Sequence, residues 1–83
     1  MACDHSDPSA IYPFDARGVA KRFRHAAIFG ALDSLTPGET IRFCNDHDPI
    51  PLLHQIDQRY GPHVEIQYRQ RVPGEIVIDF MRK

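Results

Sequence analysis

Ile41-Arg42-Phe43-Cys44-Asn45-Asp46-His47-Asp48-Pro49-Ile50-Pro51-Leu52 is the stretch that decides the fold. Its first residues alternate. Ile41 and Phe43 point one way and Arg42 and Cys44 the other, the pattern of a half-buried strand. After Asn45 the period changes. Leu52, Leu53, Ile56 and Tyr60 form the apolar face of a helix, with His54, Gln55, Asp57 and Gln58 on its polar side. Asp48 is expected to cap that helix, with Pro49 at its first position, where a missing N–H costs nothing. Gly61-Pro62 ends it. A strand therefore passes into a helix through a loop crowded with Asn45, Asp46, His47 and Asp48, the first place to look for chemistry.

Upstream, Ile11-Tyr12-Pro13-Phe14-Asp15 reads as a short strand. Pro13 has no N–H to give a neighbour, so this strand belongs at a sheet edge. Ala16-Arg17-Gly18 turns the chain. From about Lys21 to Leu35 the period is helical: His25, Ile28, Leu32 and Leu35 make one stripe, widened by Phe23, Ala27, Phe29 and Ala31. Arg22, Arg24 and Asp33 are expected to face water or the helix ends. Thr36-Pro37-Gly38 stops the helix. Downstream, Val64, Ile66 and Tyr68 alternate with Glu65, Gln67 and Arg69. Ile76, Ile78 and Phe80 alternate with Val77, Asp79 and Met81. Pro73-Gly74 between them has the residues of a type II turn, so these two strands should pair as a hairpin.

The order is β-α-β-α-β-β. Two helices with one apolar face each can cover only one side of four strands. The prediction is an α/β (α+β) two-layer sandwich, a mixed four-stranded sheet with both helices on one face. The other face, carrying Arg42, Glu65, Gln67, Arg69 and Asp79, is expected to meet water. The first strand–helix–strand unit should have parallel strands. Their carboxyl ends then share one edge, where open α/β sheets bind ligands. That edge would bring His25, early in the first helix, close to Asn45–Asp48.

With 83 residues the chain suits one small domain, expected over 11–83 after a disordered tail at 1–10. Net charge is −1 with His neutral, which argues against a nucleic-acid partner. Arg17, Lys21, Arg22 and Arg24 cluster locally. They read either as a solvated first helical turn or as a patch for an anion or an acidic partner. No apolar run approaches the ~20 residues of a membrane span. No signal-like stretch opens the chain, and a cytoplasmic location is expected.

Phe14-Asp15-Ala16-Arg17-Gly18-Val19, a helix, Leu35-Thr36-Pro37-Gly38-Glu39 and the Asp48-Pro49 dipeptide opening a second helix resemble the TusA/SirA-like sulfur carriers, from about Phe14 to Lys83. The resemblance implies the same mixed sheet and two helices. Those carriers bear a persulfide on the cysteine of a Cys-Pro-x-Pro motif opening the first helix. Counted from Gly18, that cysteine falls at Lys21 here, and the two prolines fall at Arg22 and Arg24. Persulfide transfer by that route is absent. Arg24-His25-Ala26-Ala27-Ile28-Phe29, Leu35–Glu39 and Asn45–Leu52 are more similar to a TusA-related bacterial family of unknown function. Its domains occur alone or joined to hemerythrin-like or cupin modules, which implies iron, oxygen or nitrogen-oxide metabolism.

Three readings of the chemistry follow. In the first, the chain is a non-catalytic binding module for a sulfur, iron or redox pathway. It would hold a metal or small ligand through His25, Asn45, Asp46, His47 and Asp48. Two imidazoles, His25 and His47, with a carboxylate from Asp46, Asp48 or Glu39 would suit Zn, Fe or Cu. Against this, His25 can be a partly buried helix residue, His47 a backbone partner and Asp48 only a cap. The helix N-terminus at Asp48 could hold an anion, but Asp46 and Asp48 would repel it. In the second, the chain docks a protein partner through the exposed sheet face or the Arg17–Arg24 patch, and the histidines are structural. In the third, Cys44 and His47 form a thiolate–imidazole pair for sulfur transfer. Cys44 fits better as a small half-buried thiol. Cys3, Asp4 and His5 could also ligate a metal, weakly, from a mobile tail.

Overall fold

A computed structural model describes residues 10–83. Strand β1 (Ile11–Asp15) runs through a short 3-10 turn at Ala16–Gly18 into helix α1 (Lys21–Ser34). Strand β2 (Thr40–Asn45) leads to helix α2 (Ile50–Tyr60). A second 3-10 turn at Gly61–His63 opens the hairpin of β3 (Val64–Val72) and β4 (Glu75–Arg82). The four strands lie in the order β1-β2-β4-β3. β1 pairs parallel with β2, and β4 is antiparallel to both β2 and β3. The mixed sheet and the element order agree with the sequence reading, and Pro13 sits on an edge strand as its missing N–H requires. The tail expectation at 1–9 lies outside the described residues. Ala10 joins the sheet edge, its carbonyl accepting from Thr40 N–H at 2.8 Å.

The core lies between the helices and one sheet face. Ile28 and Leu32 of α1 and Leu52 and Ile56 of α2 are buried against Ile41, Phe43, Val64, Ile76, Ile78 and Phe80. Each helix contributes residues four apart, one turn above each other on the same face. Phe43 is the hub of the aromatic packing, with ring centroids 5.9 Å from Phe14 and 5.5 Å from Phe80. The far ends of the helices are tied together. Tyr60 Oη donates to Asp33 Oδ1 at 2.6 Å, and Arg59 donates to Asp33 Oδ2 at 2.9 Å while lying 5.1 Å over the Phe29 ring. Burial, then the bond to Asp33, pushes the Tyr60 hydroxyl up to about 12. The Tyr60 bond holds the Asp33 carboxyl below the ordinary range.

Some expectations are corrected. Phe23 does not widen the apolar stripe of α1: it is 57% exposed, because the helical turn of ~100° per residue puts it on the side opposite Ile28 and Leu32. The sheet face opposite the helices is not uniformly open. Asp79 is only 9% exposed, and Arg42 donates to both its oxygens at 2.9 and 3.0 Å. Arg69 Nε approaches the same carboxylate at 3.5 Å. Cys44 and Val77, neighbours in register, are buried beside this group. The two central strands are flanked on both sides, so their outward residues lose solvent that edge residues keep.

The β3–β4 register breaks once. Tyr68 pairs with Ile78, but Gln70, not Arg69, pairs with Val77. A regular ladder would place Gln70 opposite Ile76 on the helix side. The extra residue puts Arg71 there instead.

Candidate functional site

The carboxyl ends of the parallel strands β1 and β2 do share an edge, and two segments meet over it. One is the first turn of α1. The other is the β2–α2 loop with the start of α2. Between them is a cavity of about 310 Å³ lined by Lys21, Arg24, His25, Phe43, Asn45, His47, Asp48, Pro49, Pro51 and Leu52. This is the lower end of the range for small-ligand pockets, about 300–1,000 Å³.

Asn45 is the feature that most needs explanation. It ends β2 on the same side as Ile41 and Phe43, opposite Ile76, so the strand period turns it toward the helices. It is 4% exposed, and its Oδ1 accepts no hydrogen bond among the described residues. An unpaired buried acceptor costs about 1–3 kcal/mol. An apolar residue at that inward position would avoid the cost.

Asp48 is not the helix cap expected of it. Pro49 occupies the N-cap of α2, no side chain caps the helix, and Pro51 lies in the first turn. The Asp48 carbonyl instead accepts from Ile50 N–H at 3.0 Å. Its carboxylate is held from the other side by β3. Tyr68 Oη donates to Oδ1 at 2.5 Å, and Arg71 Nε donates to Oδ2 at 2.9 Å. Arg71 reaches it because the β3 bulge turns that residue to the helix side, and its guanidinium stacks 4.6 Å over the Tyr68 ring. Burial, followed by the bond to Asp48, raises the Tyr68 hydroxyl above its ordinary value. A tyrosine and an arginine of the hairpin thus anchor the loop and compensate its charge.

The histidines stand on opposite walls. His25 is exposed rather than part of the core stripe. Its Nδ1 donates to Gln55 Oε1 of α2 at 3.1 Å, and its ring meets Phe29 edge-on at 6.3 Å. His47 Nδ1 donates to Asp46 Oδ1 at 2.6 Å, and that bond holds the Asp46 carboxyl below the usual carboxylate range. Asp46 does not line this cavity. It borders a second one, of about 380 Å³, between the loop and the hairpin turn at Pro73-Gly74. Of the five residues expected at the site, the cavity brings together His25, Asn45, His47 and Asp48. Among the described residues no three His, Cys, Asp or Glu side chains are grouped to hold a metal ion.

Lys21 and Arg24 line the cavity although neither is among the five residues expected there. Arg24 is half-buried rather than turned to water, because its Nε donates to the Val19 carbonyl at 2.9 Å. The clustering of Arg17, Lys21, Arg22 and Arg24 was the available signal. Cys44 is 2% exposed, is not a free thiol and alternates to the face away from the cavity, so the thiolate–imidazole pair with His47 does not form. Cys3, Asp4 and His5 lie outside the described residues. No helix among the described residues is long and apolar enough to cross a membrane.

No curated protein and no solved structure matches this chain. One family model matches residues 13–82, from within the edge strand β1 to the end of β4. By that match the chain belongs to the family described as uncharacterized conserved protein DUF2249.

Proposed function

We propose that the domain is a binding module for a small molecule, held in the cavity between the first turn of α1 and the β2–α2 loop. One observation carries this reading: Asn45, a residue of the cavity lining, holds a buried Oδ1 that no described residue pairs. A fold would replace such a group by an apolar one unless something outside the fold pairs with it. The enclosing parts support the same reading. Asp48 is clamped by Tyr68 and Arg71, and His25 by Gln55, so the walls are preorganised. The likeness to TusA/SirA-like carriers belongs to this proposal as a common location, since Lys21, at the carrier-cysteine position, borders the cavity. His25 and His47 act in it as hydrogen-bonding walls, not as a metal pair.

The test is a fragment screen by amide NMR on the full chain, with neutral, anionic and cationic fragments that fit the cavity volume. Saturable shifts are expected at Lys21, His25, Asn45 and His47, and they disappear in a folded Asn45→Leu variant. Shifts absent from these positions for every fragment refute the proposal.

A second reading has its own observation. Phe23 is exposed, with the Arg22 guanidinium 5.6 Å over its ring. An aromatic–arginine pair standing free on a helix suits a protein partner. Phe23→Ser should then abolish partner capture while leaving the fragment shifts intact.

A further inference from the structure

Resting on the cavity reading above, we infer that the ligand is a small oxyanion that also carries an N–H or O–H donor. Lys21 and Arg24 set the charge and Asn45 Oδ1 receives the donor.

The charge argument counts what faces the cavity. Lys21 and Arg24 are cationic, and Arg24 is pinned by the Val19 carbonyl through Nε alone, which leaves its other nitrogens to donate. The one acid on the wall, Asp48, has its two oxygens engaged by Tyr68 and Arg71 from β3. Asp46, the other acid of the loop, borders the second cavity and is bound to His47; its charge reaches Arg24 and offsets part of the positive charge, which leaves Lys21 and the rest of Arg24 in excess. The cavity is therefore net positive although the loop sequence is acidic.

The backbone adds to this. Both helices begin at the cavity, neither has a side-chain cap, and neither has an acid in its first turn. Each positive helix end is left to be compensated from outside. The α2 end contributes few N–H groups: Ile50 N–H is used by the Asp48 carbonyl and Pro51 has none, which leaves Leu52. Most of the positive end comes from α1, beside Lys21. Oδ1 of Asn45 would repel a bare anion that approached it. It accepts only from a donor, so the anion must present one.

The experiment uses the full chain at constant ionic strength, with amide NMR titrations of matched probes. Inorganic phosphate keeps an O–H near neutral pH and sulfate does not. L-lactate has a hydroxyl that propionate lacks, and lactamide has the hydroxyl without the charge. Phosphate and lactate separate an inorganic from an organic source of the same chemistry. The expectation is that one or both saturate shifts at Lys21, Arg24 and Asn45, at least about tenfold more tightly than sulfate or propionate, with no response to lactamide. Lys21→Gln should weaken binding at least about tenfold. Lactamide binding as tightly as lactate would overturn the charge assignment. Sulfate and propionate binding as tightly as their partners would overturn the role of Asn45. If neutral or cationic fragments occupy the cavity and none of these anions does, the inference fails and the cavity reading stands. If no fragment occupies it, both fail.

Discussion

Replacing Asn45 by leucine should make the protein more stable and unable to bind. Leucine has the branched outline of asparagine without its polar atoms, so the backbone at the end of β2 has no reason to move. The wild-type residue is 4% exposed with an unpaired Oδ1, a penalty of about 1–3 kcal/mol that the variant removes. Some gain is forfeited because one side of the residue faces the cavity rather than packed neighbours. A net stabilisation of about 1–2 kcal/mol remains. For a domain of 83 residues, each kcal/mol raises Tm by about 4–8 °C. Urea unfolding should show a higher midpoint with an unchanged m value, and the fragment shifts should vanish. An Asn45→Leu variant less stable than wild type by about 1 kcal/mol or more would refute the reasoning. It would mean that the amide supports the fold, and the cavity would lose its strongest sign of a ligand.

Four further outcomes follow from named contacts. Tyr60 has its hydroxyl raised from 10.0 to about 12, so the folded state holds that proton more tightly than the unfolded one. Its contribution is complete below pH 10 and is lost as pH rises toward 12; Asp33, lowered from 3.8, contributes above that value and is lost on acidification. Tyr60→Phe should therefore cost about 1 kcal/mol near neutral pH, with the difference from wild type vanishing toward pH 12; a difference constant across that window counts against the assignment. Gly61 has φ 54° and ψ −128°, and nothing stands where a Cβ would go, so Gly61→Ala should lower stability by about 1–3 kcal/mol through backbone strain alone. Tyr68→Phe leaves Asp48 with only Arg71 and should cost about 1–2 kcal/mol, with faster amide exchange in the loop at 46–49 as the local readout. Asp79→Ala removes the 9% exposed carboxylate that accepts two bonds from Arg42 and should cost about 1–3 kcal/mol by urea unfolding, whereas an effect below about 0.5 kcal/mol would show that solvent replaces these bonds freely.

Much of this was legible in the sequence because the local signals agree with one another. Alternation in Thr40–Asn45, the three-and-four spacing in Leu52–Tyr60 and the edge position demanded by Pro13 each fix an element without reference to the rest. The parallel crossover then follows, and with it the meeting of His25 and the Asn45–Asp48 loop. What stayed hidden depends on one residue of register. Nothing in Tyr68-Arg69-Gln70-Arg71 announces that Arg69 is the unpaired residue. Without the bulge Arg71 would face away from Asp48, Tyr68 alone would hold the carboxylate, and the cavity would carry an uncompensated acid. The reading of Asp48 as a cap and the objection that its charge would repel an anion both take that carboxylate as free, and the bulge brings Arg71 to it. The bulge thus supplies the cation that neutralises Asp48. The charge of the cavity is thus set from the hairpin, by the pair least conspicuous in the sequence. Asn45 shows the converse. It stands in line with Ile41 and Phe43, so its polarity at an inward position can be read from the strand alternation alone. Only the geometry shows that the fold leaves it unanswered. A local rule broken at the one place where two helix ends, two cations and a clamped loop converge is better explained by a ligand than by a defect of packing.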